Sequence, residues 1–235
     1  MTGKCQRIRY VKPFTIAAFQ KCTKVFPPCK LNILEEKNVN SSMFRKLFLR
    51  GDIPCHRSFD RQKQQCHRKP MYLMWKVAPQ DLDYSYYLPI FFDGLCEAAL
   101  PYKLIARYGI HDLLNAASDK IRSVIPCLII PIKNALNTKN CDIIMATLRI
   151  IQHMCMLQPC VAFDLIPYYR QILPILNLYY GSDINMLDGI DYDRCGRLND
   201  EIEKTLMMLE KCDCEDKIYL NIKYCIPTYE SCKYH

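Results

Sequence analysis

Glycine is scarce in this chain: 235 residues include only 7. None stands in GxGxxG, GxxxxGK(S/T) or GxSxG, and those phosphate-cradling loops and nucleophile elbows need glycine's free φ and missing side chain. The commonest nucleotide-binding and serine-hydrolase signatures are therefore absent. Long apolar runs are absent too. The segment Val124–Ile132 is broken by Pro126 and Pro131, and nothing approaches the roughly 18 residues of a membrane-crossing helix, so a membrane span is excluded. The opening MTGKCQRIRYVKPF is basic but has no continuous apolar core and no small-residue cleavage site, and gives no secretory signal.

Acidic residues are sparse at the N-terminal end. Residues 1–80 hold 17 Lys+Arg against 4 Asp+Glu, whereas residues 81–235 hold 15 against 20, and the whole chain nets +8. A basic arm on a mildly acidic body suggests an arm that meets a polyanion. Nucleic acid, an acidic membrane face and the acidic surface of a tubulin lattice all qualify on charge. The chain reads as intracellular, so its 15 cysteines are expected to be mostly free thiols behaving as small hydrophobes. The odd count argues against a complete disulfide framework.

Residues 1–40 contain basic and proline-bearing stretches without a sustained period and read as an arm with little structure of its own. From Ser41 the pattern changes: behind a serine cap, residues Met43, Phe44, Leu47 and Phe48 recur at helical spacing among Arg45, Lys46 and Arg50, until Gly51-Asp52 stops them. Ile53-Pro54 and Tyr72–Val77 predict two short strands around a long polar tip, Arg57–Lys69. From Leu82 the pattern is helical to the end. Asn140 caps an amphipathic segment through Cys155, Ser118 precedes another, and Asn199 precedes Ile202, Leu206 and Leu209 with Lys211 in the last turn. Gly181–Arg197 reads as the loop between helices.

Prolines carry a repeat. Pro89, Pro126 and Pro167 each stand before an apolar run, 37 and 41 residues apart, and Pro131 and Pro174 are 43 apart. Proline in a first helical turn costs little, and a period near 40 residues is that of armadillo/HEAT helix pairs. Pro131 and Pro174 fall inside the pattern and imply either kinked helices or two shorter ones. The expected fold is all-α: an armadillo/HEAT-like α-solenoid over 41–235, with a short N-terminal β-hairpin and a basic flexible arm over 1–40.

The chemistry-bearing clusters read as structural. Cys55-His56 with Cys66-His67 has the stoichiometry of a zinc site, but adjacent ligands fold poorly round one ion and a basic solvated loop is the favoured reading. Cys212-Asp213-Cys214 is a CxC among acids, which raise a thiol pKa rather than lower it. His111-Asp112, or His153 with a thiol, offers a base–nucleophile combination. Gly109–Asp112 reads instead as a turn entering a helix, with Asp112 as its cap. The aromatic clusters at 84–87, 91–92, 168–169 and 179–180 are able to stack bases beside Arg107 or Arg170, yet they share faces with core leucines and isoleucines and read as packing. No cofactor, metal, nucleic acid or membrane partner is expected.

Several long strings resemble the parkin co-regulated gene protein family. They include Phe44-Arg-Lys-Leu-Phe48 with Arg50-Gly-Asp-Ile-Pro54, Leu82–Glu97, Gly109-Ile-His-Asp112, Leu128–Asn137, Ile166–Pro174, Asp188–Tyr192 and Asn221–Cys232. They run in order over roughly four-fifths of the chain. The resemblance implies an armadillo/HEAT-like fold without enzymatic activity. It implies a place in the cilium or flagellum, at the inner junction of doublet microtubules, in contact with tubulin and a small β-sandwich partner. It also implies a link to the spermatid manchette through a small meiosis-expressed partner. Arg45, Lys46 and Arg50, clustered beside the arm, are the candidate tubulin contacts; as solvated charges on an amphipathic helix they need no further role. A soluble adaptor for a small partner is the alternative function. The sequence departs from the family in its arm, in the longer tip between Asp52 and Trp75, and in cysteines at apolar positions 155, 195 and 225. Those departures fit a diverged paralogue.

Overall fold

A computed structural model describes residues 8–12, 15–20, 22–26, 36, 41–59, 71–181, 192–212 and 217–231. The chain divides into two compact units, Met1–Glu35 and Glu36–His235. In the first, β1 (Arg9–Val11) pairs in parallel with β2 (Thr23–Val25), Arg9 opposite Thr23. A single 3-10 turn, Ile16–Phe19, lies between them, and the rings of Tyr10 and Phe26 are 5.6 Å apart. The stretch read as an arm with little structure of its own thus contains one strand pairing.

The second unit is mostly helical. Its first helix, α1 (Met43–Arg50), has the expected serine cap, supplied by Ser42: Ser42 Oγ accepts from the Arg45 amide at 3.1 Å. It ends at Gly51, whose φ of 85° is a left-handed conformation that glycine adopts without strain. Eight residues are too few to hold a helix in isolation. α1 is held by fully buried Phe44, which meets Phe91 at 5.2 Å, and by Phe48 against Tyr102 at 5.8 Å.

The hairpin is present slightly displaced from its predicted start. β3 (Cys55–Phe59) and β4 (Met71–Trp75) are antiparallel with Cys55 opposite Trp75, and Pro54 contributes only its carbonyl, which accepts from the Lys76 amide. The tip, residues 60–70, lies outside the described residues, and with it Cys66 and His67. Trp75 locks the hairpin to the body: its indole N–H donates to Asp112 Oδ2 at 3.0 Å and its ring stands 5.6 Å from Phe91.

Then follow α2 (Tyr84–Asp93), α3 (Tyr102–Ala116), α4 (Ile121–Leu136), α5 (Cys141–Leu157), α6 (Cys160–Leu165), α7 (Tyr169–Ile172), α8 (Tyr192–Lys211) and α9 (Lys217–Cys225). α2 packs on α3 and α4, α4 on α5, and α5 on α8, while α9 meets α7 and α8. The core between them is aliphatic with aromatic anchors, including Ile105, Ile110, Leu128, Ile144, Leu206 and Tyr169. Full burial of each such side chain stabilises by roughly 1.5–3 kcal/mol.

Several expectations need correction. Gly109-Ile-His-Asp112 is the middle of α3, not a turn: a Cβ on Gly109 would sit 2.2 Å from Phe91 Cε1, so the glycine is there to let two helices touch. Asn199 does not start a helix, because α8 begins at Tyr192, so the supposed loop to Arg197 is shorter at that end. Pro89 and Pro126 stand within α2 and α4 rather than in first turns. Pro131 also lies inside an unbroken α4, whereas Pro174 opens a 3-10 segment, Leu173–Leu178. Asn140 behaves as expected, its Oδ1 accepting from the amides of Asp142 and Ile143.

Candidate functional site

The basic face of α1 is oriented from below by acids. Ser42 donates through both N and Oγ to Glu97 Oε1, at 2.8 and 2.7 Å, and the Met43 amide donates to Asp93 Oδ2 at 2.7 Å. Two carboxylates at a helix N-terminus complement its unpaired amides and its dipole. Glu97 is 7% exposed, so this is a buried anchor. The three candidate contacts separate around it. Arg45 turns inward, 3.8 Å from Glu97 and stacked 4.7 Å over the Tyr102 ring. Lys46 and Arg50, one helical turn apart, are exposed on a face they share with Met43. The sequence singled out all three cations but held no sign of Glu97 and Asp93, which lie about fifty residues away.

A second basic region lies between α3 and α5. A cleft of about 390 Å³ is lined by Lys103, Arg107 and His111 from α3 and by Asp142 and Arg149 from α5, over a floor that includes Leu104, Met145 and Ile150. Lys103 stands 3.7 Å from Asp142. Arg107 donates through Nη2 to the Asp142 carbonyl at 3.1 Å, while its Nε is buried without a hydrogen-bond partner. Burial lowers its pKa, partly opposed by Asp142. Arg149 reaches Glu201 on α8 at 3.3 Å, and Gln152 ties Glu201 to Thr205. Lys103 and Arg107 at i, i+4 were a possible signal for this cleft, but Arg149 joins them only through the packing of α3 on α5.

At the edge of the cleft His111 and His153 face each other, Nδ1 to Nδ1 at 2.9 Å. His153 Nε2 is 3.0 Å from Asn115 Oδ1, an acceptor, so that nitrogen carries a proton. In the neutral pair the Nδ1 of His153 then accepts from His111 Nδ1–H, which leaves the Nε2 of His111 bare. Burial lowers both pKa values, and for His111 the neighbouring His153 adds to the effect while Asp112 opposes it. The base–orienter combination read from His111-Asp112 is not assembled, since the Asp112 carboxylate accepts from Trp75 instead.

The remaining clusters pack. Cys55 is buried and His56 is exposed, as alternation along a strand requires, so neighbouring residues cannot converge on one ion. Burial pushes the Cys55 thiol up to about 12, with the charge of Asp112 adding to it. Burial, with Cys160 adding to it, raises the pKa of Cys212, which donates to the Met208 carbonyl; the acids that follow it, residues 213–216, lie outside the described residues. Cys214 and the side chain of Cys195 lie outside the described residues, while Cys155 and Cys225 are buried. Tyr84 donates to the Leu113 carbonyl, Tyr169 to Ala162 and Tyr179 to Lys139, and Phe91 and Phe92 are fully buried. Arg170 lies over the Tyr224 ring at 4.8 Å.

The seated α1, the hairpin and the helices behind them fall inside residues 42–231, the span matched by the model of the Parkin co-regulated protein family. The chain belongs to that family. It is 45% identical over 221 residues to the Parkin coregulated gene protein homolog of Mus musculus, covering 93% of this chain and 88% of the mouse protein. The match takes in Lys46, Arg50, the α3–α5 cleft and the histidine pair. No helix among the described residues is long and apolar enough to cross a membrane.

Proposed function

We propose that this family member is a non-enzymatic structural protein of the ciliary and flagellar axoneme, binding tubulin at the inner junction of doublet microtubules as a microtubule inner protein. In this role it supports sperm flagellar motility beside a small β-sandwich partner. The observation that carries the reading is the exposed pair Lys46 and Arg50 on a helix whose N-terminus is anchored by Glu97 and Asp93. Cations on a fixed helix lose little entropy when they meet an acidic lattice. The basic surplus of residues 1–80 adds long-range attraction to the same kind of surface.

We further propose that α2 to α9 stack as an armadillo/HEAT-like solenoid. The recurrence of prolines near 40 residues and the packing of successive helices on one another support that arrangement.

Co-sedimentation with microtubules tests the lattice contact. Wild-type chain, mixed with the β-sandwich partner, pellets at low salt, and the double variant Lys46→Gln/Arg50→Gln binds several-fold more weakly with a shallower salt dependence. A double variant that pellets like wild type removes α1 from the contact. In flagella the protein stays on salt-washed doublets; release into the detergent-soluble pool would favour a cytosolic adaptor, with a small meiosis-expressed partner as its ligand.

A further inference from the structure

We propose that the α3–α5 cleft is a binding site for the side-chain carboxylate of an acidic, glutamate-rich peptide, held by Arg107, Arg149 and Lys103, with His111 taking up a proton as the carboxylate enters. The site goes beyond the lattice contact on α1 and is tested without microtubules.

Three observations carry it. The first is charge. Three cations line the cleft against one anion, Asp142, and Glu201, which pairs with Arg149, reaches it from the α8 side. The second is the unmet Nε donor of Arg107. A buried donor without an acceptor costs about 1–3 kcal/mol, and the Nε–Nη edge of a guanidinium presents the two parallel donors that a carboxylate accepts.

The third is the bare Nε2 of His111, a lining residue, left unprotonated by the tautomers that Asn115 and His153 impose. A carboxylate beside it stabilises the imidazolium, so a proton from solvent binds at Nε2 while His111 keeps its Nδ1–H bond to His153. The charged and titratable groups that line the cleft with His111 or act on its ring are Lys103, Arg107, Tyr108 and Asp112 on α3 and Asp142, Arg149 and His153 on α5. Asp112 is engaged by Trp75 of β4. His111 and His153 are the two imidazoles of that set, and the Nε2 of His153 already carries its proton.

The occupant is a carboxylate rather than a phosphate because of what the lining offers. Every lining residue lies within α3 or α5, whose amides are committed to the helices or, at Asp142, to the Asn140 cap. Phosphate sites characteristically add a cradle of free backbone amides. The lining between the charges is apolar, which suits the methylene stem of a glutamate. About 390 Å³ holds one or two such side chains and lies at the small end of sites for free metabolites.

The test is fluorescence anisotropy of a labelled oligoglutamate peptide with the full chain at low salt, at about pH 8 and about pH 6. The peptide binds, oligoglutamine does not, and binding tightens toward acid. Arg107→Gln and Arg149→Gln each weaken it about tenfold, equivalent to about 1.4 kcal/mol. Lys133→Gln, an exposed charge removed from α4, leaves it unchanged. His111→Asn keeps binding at pH 8 but abolishes the acid tightening. Arg149 is 61% exposed, so its variant reports on binding even where Arg107→Gln fails to fold. Absence of binding, equal binding of oligoglutamine, tighter binding of inorganic phosphate, or cleft variants no weaker than Lys133→Gln would each overturn the site. A pH effect that survives His111→Asn would overturn the role of the proton.

Discussion

Phe91 occupies the space where Gly109 would carry a side chain: a Cβ there would lie 2.2 Å from Cε1 and 2.6 Å from Cδ1 of the ring. The ring is fully buried and also meets Phe44 and Trp75, so it has no room to retreat. Through this one contact α2, α3, α1 and the hairpin share a single packing point.

Gly109→Ala therefore destabilises the fold even though alanine is the better helix former. Overpacking costs about 1–3 kcal/mol, against roughly 1 kcal/mol gained in propensity, and the lack of space favours the upper end. Urea unfolding reads the loss, and Phe91→Leu in the same chain recovers part of it. A Gly109→Ala protein more stable than wild type would show that the helices are free to move apart.

Glu97→Ala leaves two donors of Ser42 without their acceptor in a buried setting and strips Arg45 of its ion pair. The expected loss is about 2–3 kcal/mol, as for hydrogen bonds to a charged group. Glu97→Gln keeps one acceptor oxygen and loses less. Limited proteolysis within α1 follows the same order, since the helix has little stability apart from its anchors.

The buried thiols predict alkaline instability. Cys55, Cys96 and Cys155 each rise from 9.0 to about 12, with burial as the main cause. Their neutral form is the one the fold accommodates, so the contribution is complete below pH 9 and is lost progressively as pH climbs from 9 toward 12. A Cys155→Ala variant has a flatter alkaline limb in a plot of Tm against pH. At pH 8 a thiol of pKa 12 is about one part in ten thousand thiolate. Among the described residues the exposed thiols of Cys22, Cys127 and Cys160 are accordingly alkylated before these three.

The histidine pair predicts the opposite limb. Both folded pKa values lie below the ordinary 6.5, with burial as the first cause. The unfolded chain binds more protons near that pH, so stability is complete above 6.5 and falls as pH drops through it. Replacing His153 with glutamine, which cannot titrate, flattens the fall between about pH 6.5 and 5 in thermal melts. An unchanged slope would mean that other groups carry the acid response.

What the sequence disclosed and what it withheld divide along the range of the forces involved. Asn140 was legible because a cap acts within three residues of itself, and the Phe44–Phe48 pattern because one helical turn repeats it. The cap of α1 was legible as a serine but not as which one, because adjacent Ser41 and Ser42 offer the same chemistry. The long-range choice of Glu97 as partner settles which one caps. Asn199 looked like a helix start because Asn and Asp favour caps locally. Leu198, Ile202, Leu206 and Leu209, all buried along α8, override that preference from outside the segment. The α3–α5 cleft joins residues up to 47 positions apart, from Lys103 to Ile150, and no local spacing encodes that meeting. Proline was the least reliable guide, since α4 accommodates two of them without interruption.

Glu210 sits 1% exposed on α8, where Tyr229 Oη donates to it at 2.7 Å and the Ser231 hydroxyl donates to its other oxygen. Those partners lie 19 and 21 residues further along the chain. A ribosome that has just finished α8 has therefore made a carboxylate whose burial must wait for residues still to be translated. Until they arrive that carboxylate lacks two of the donors it accepts from in the finished fold. The order of synthesis is thus also an order of satisfaction: the buried end of α8 gains these two bonds only once the strap after α9 has left the tunnel.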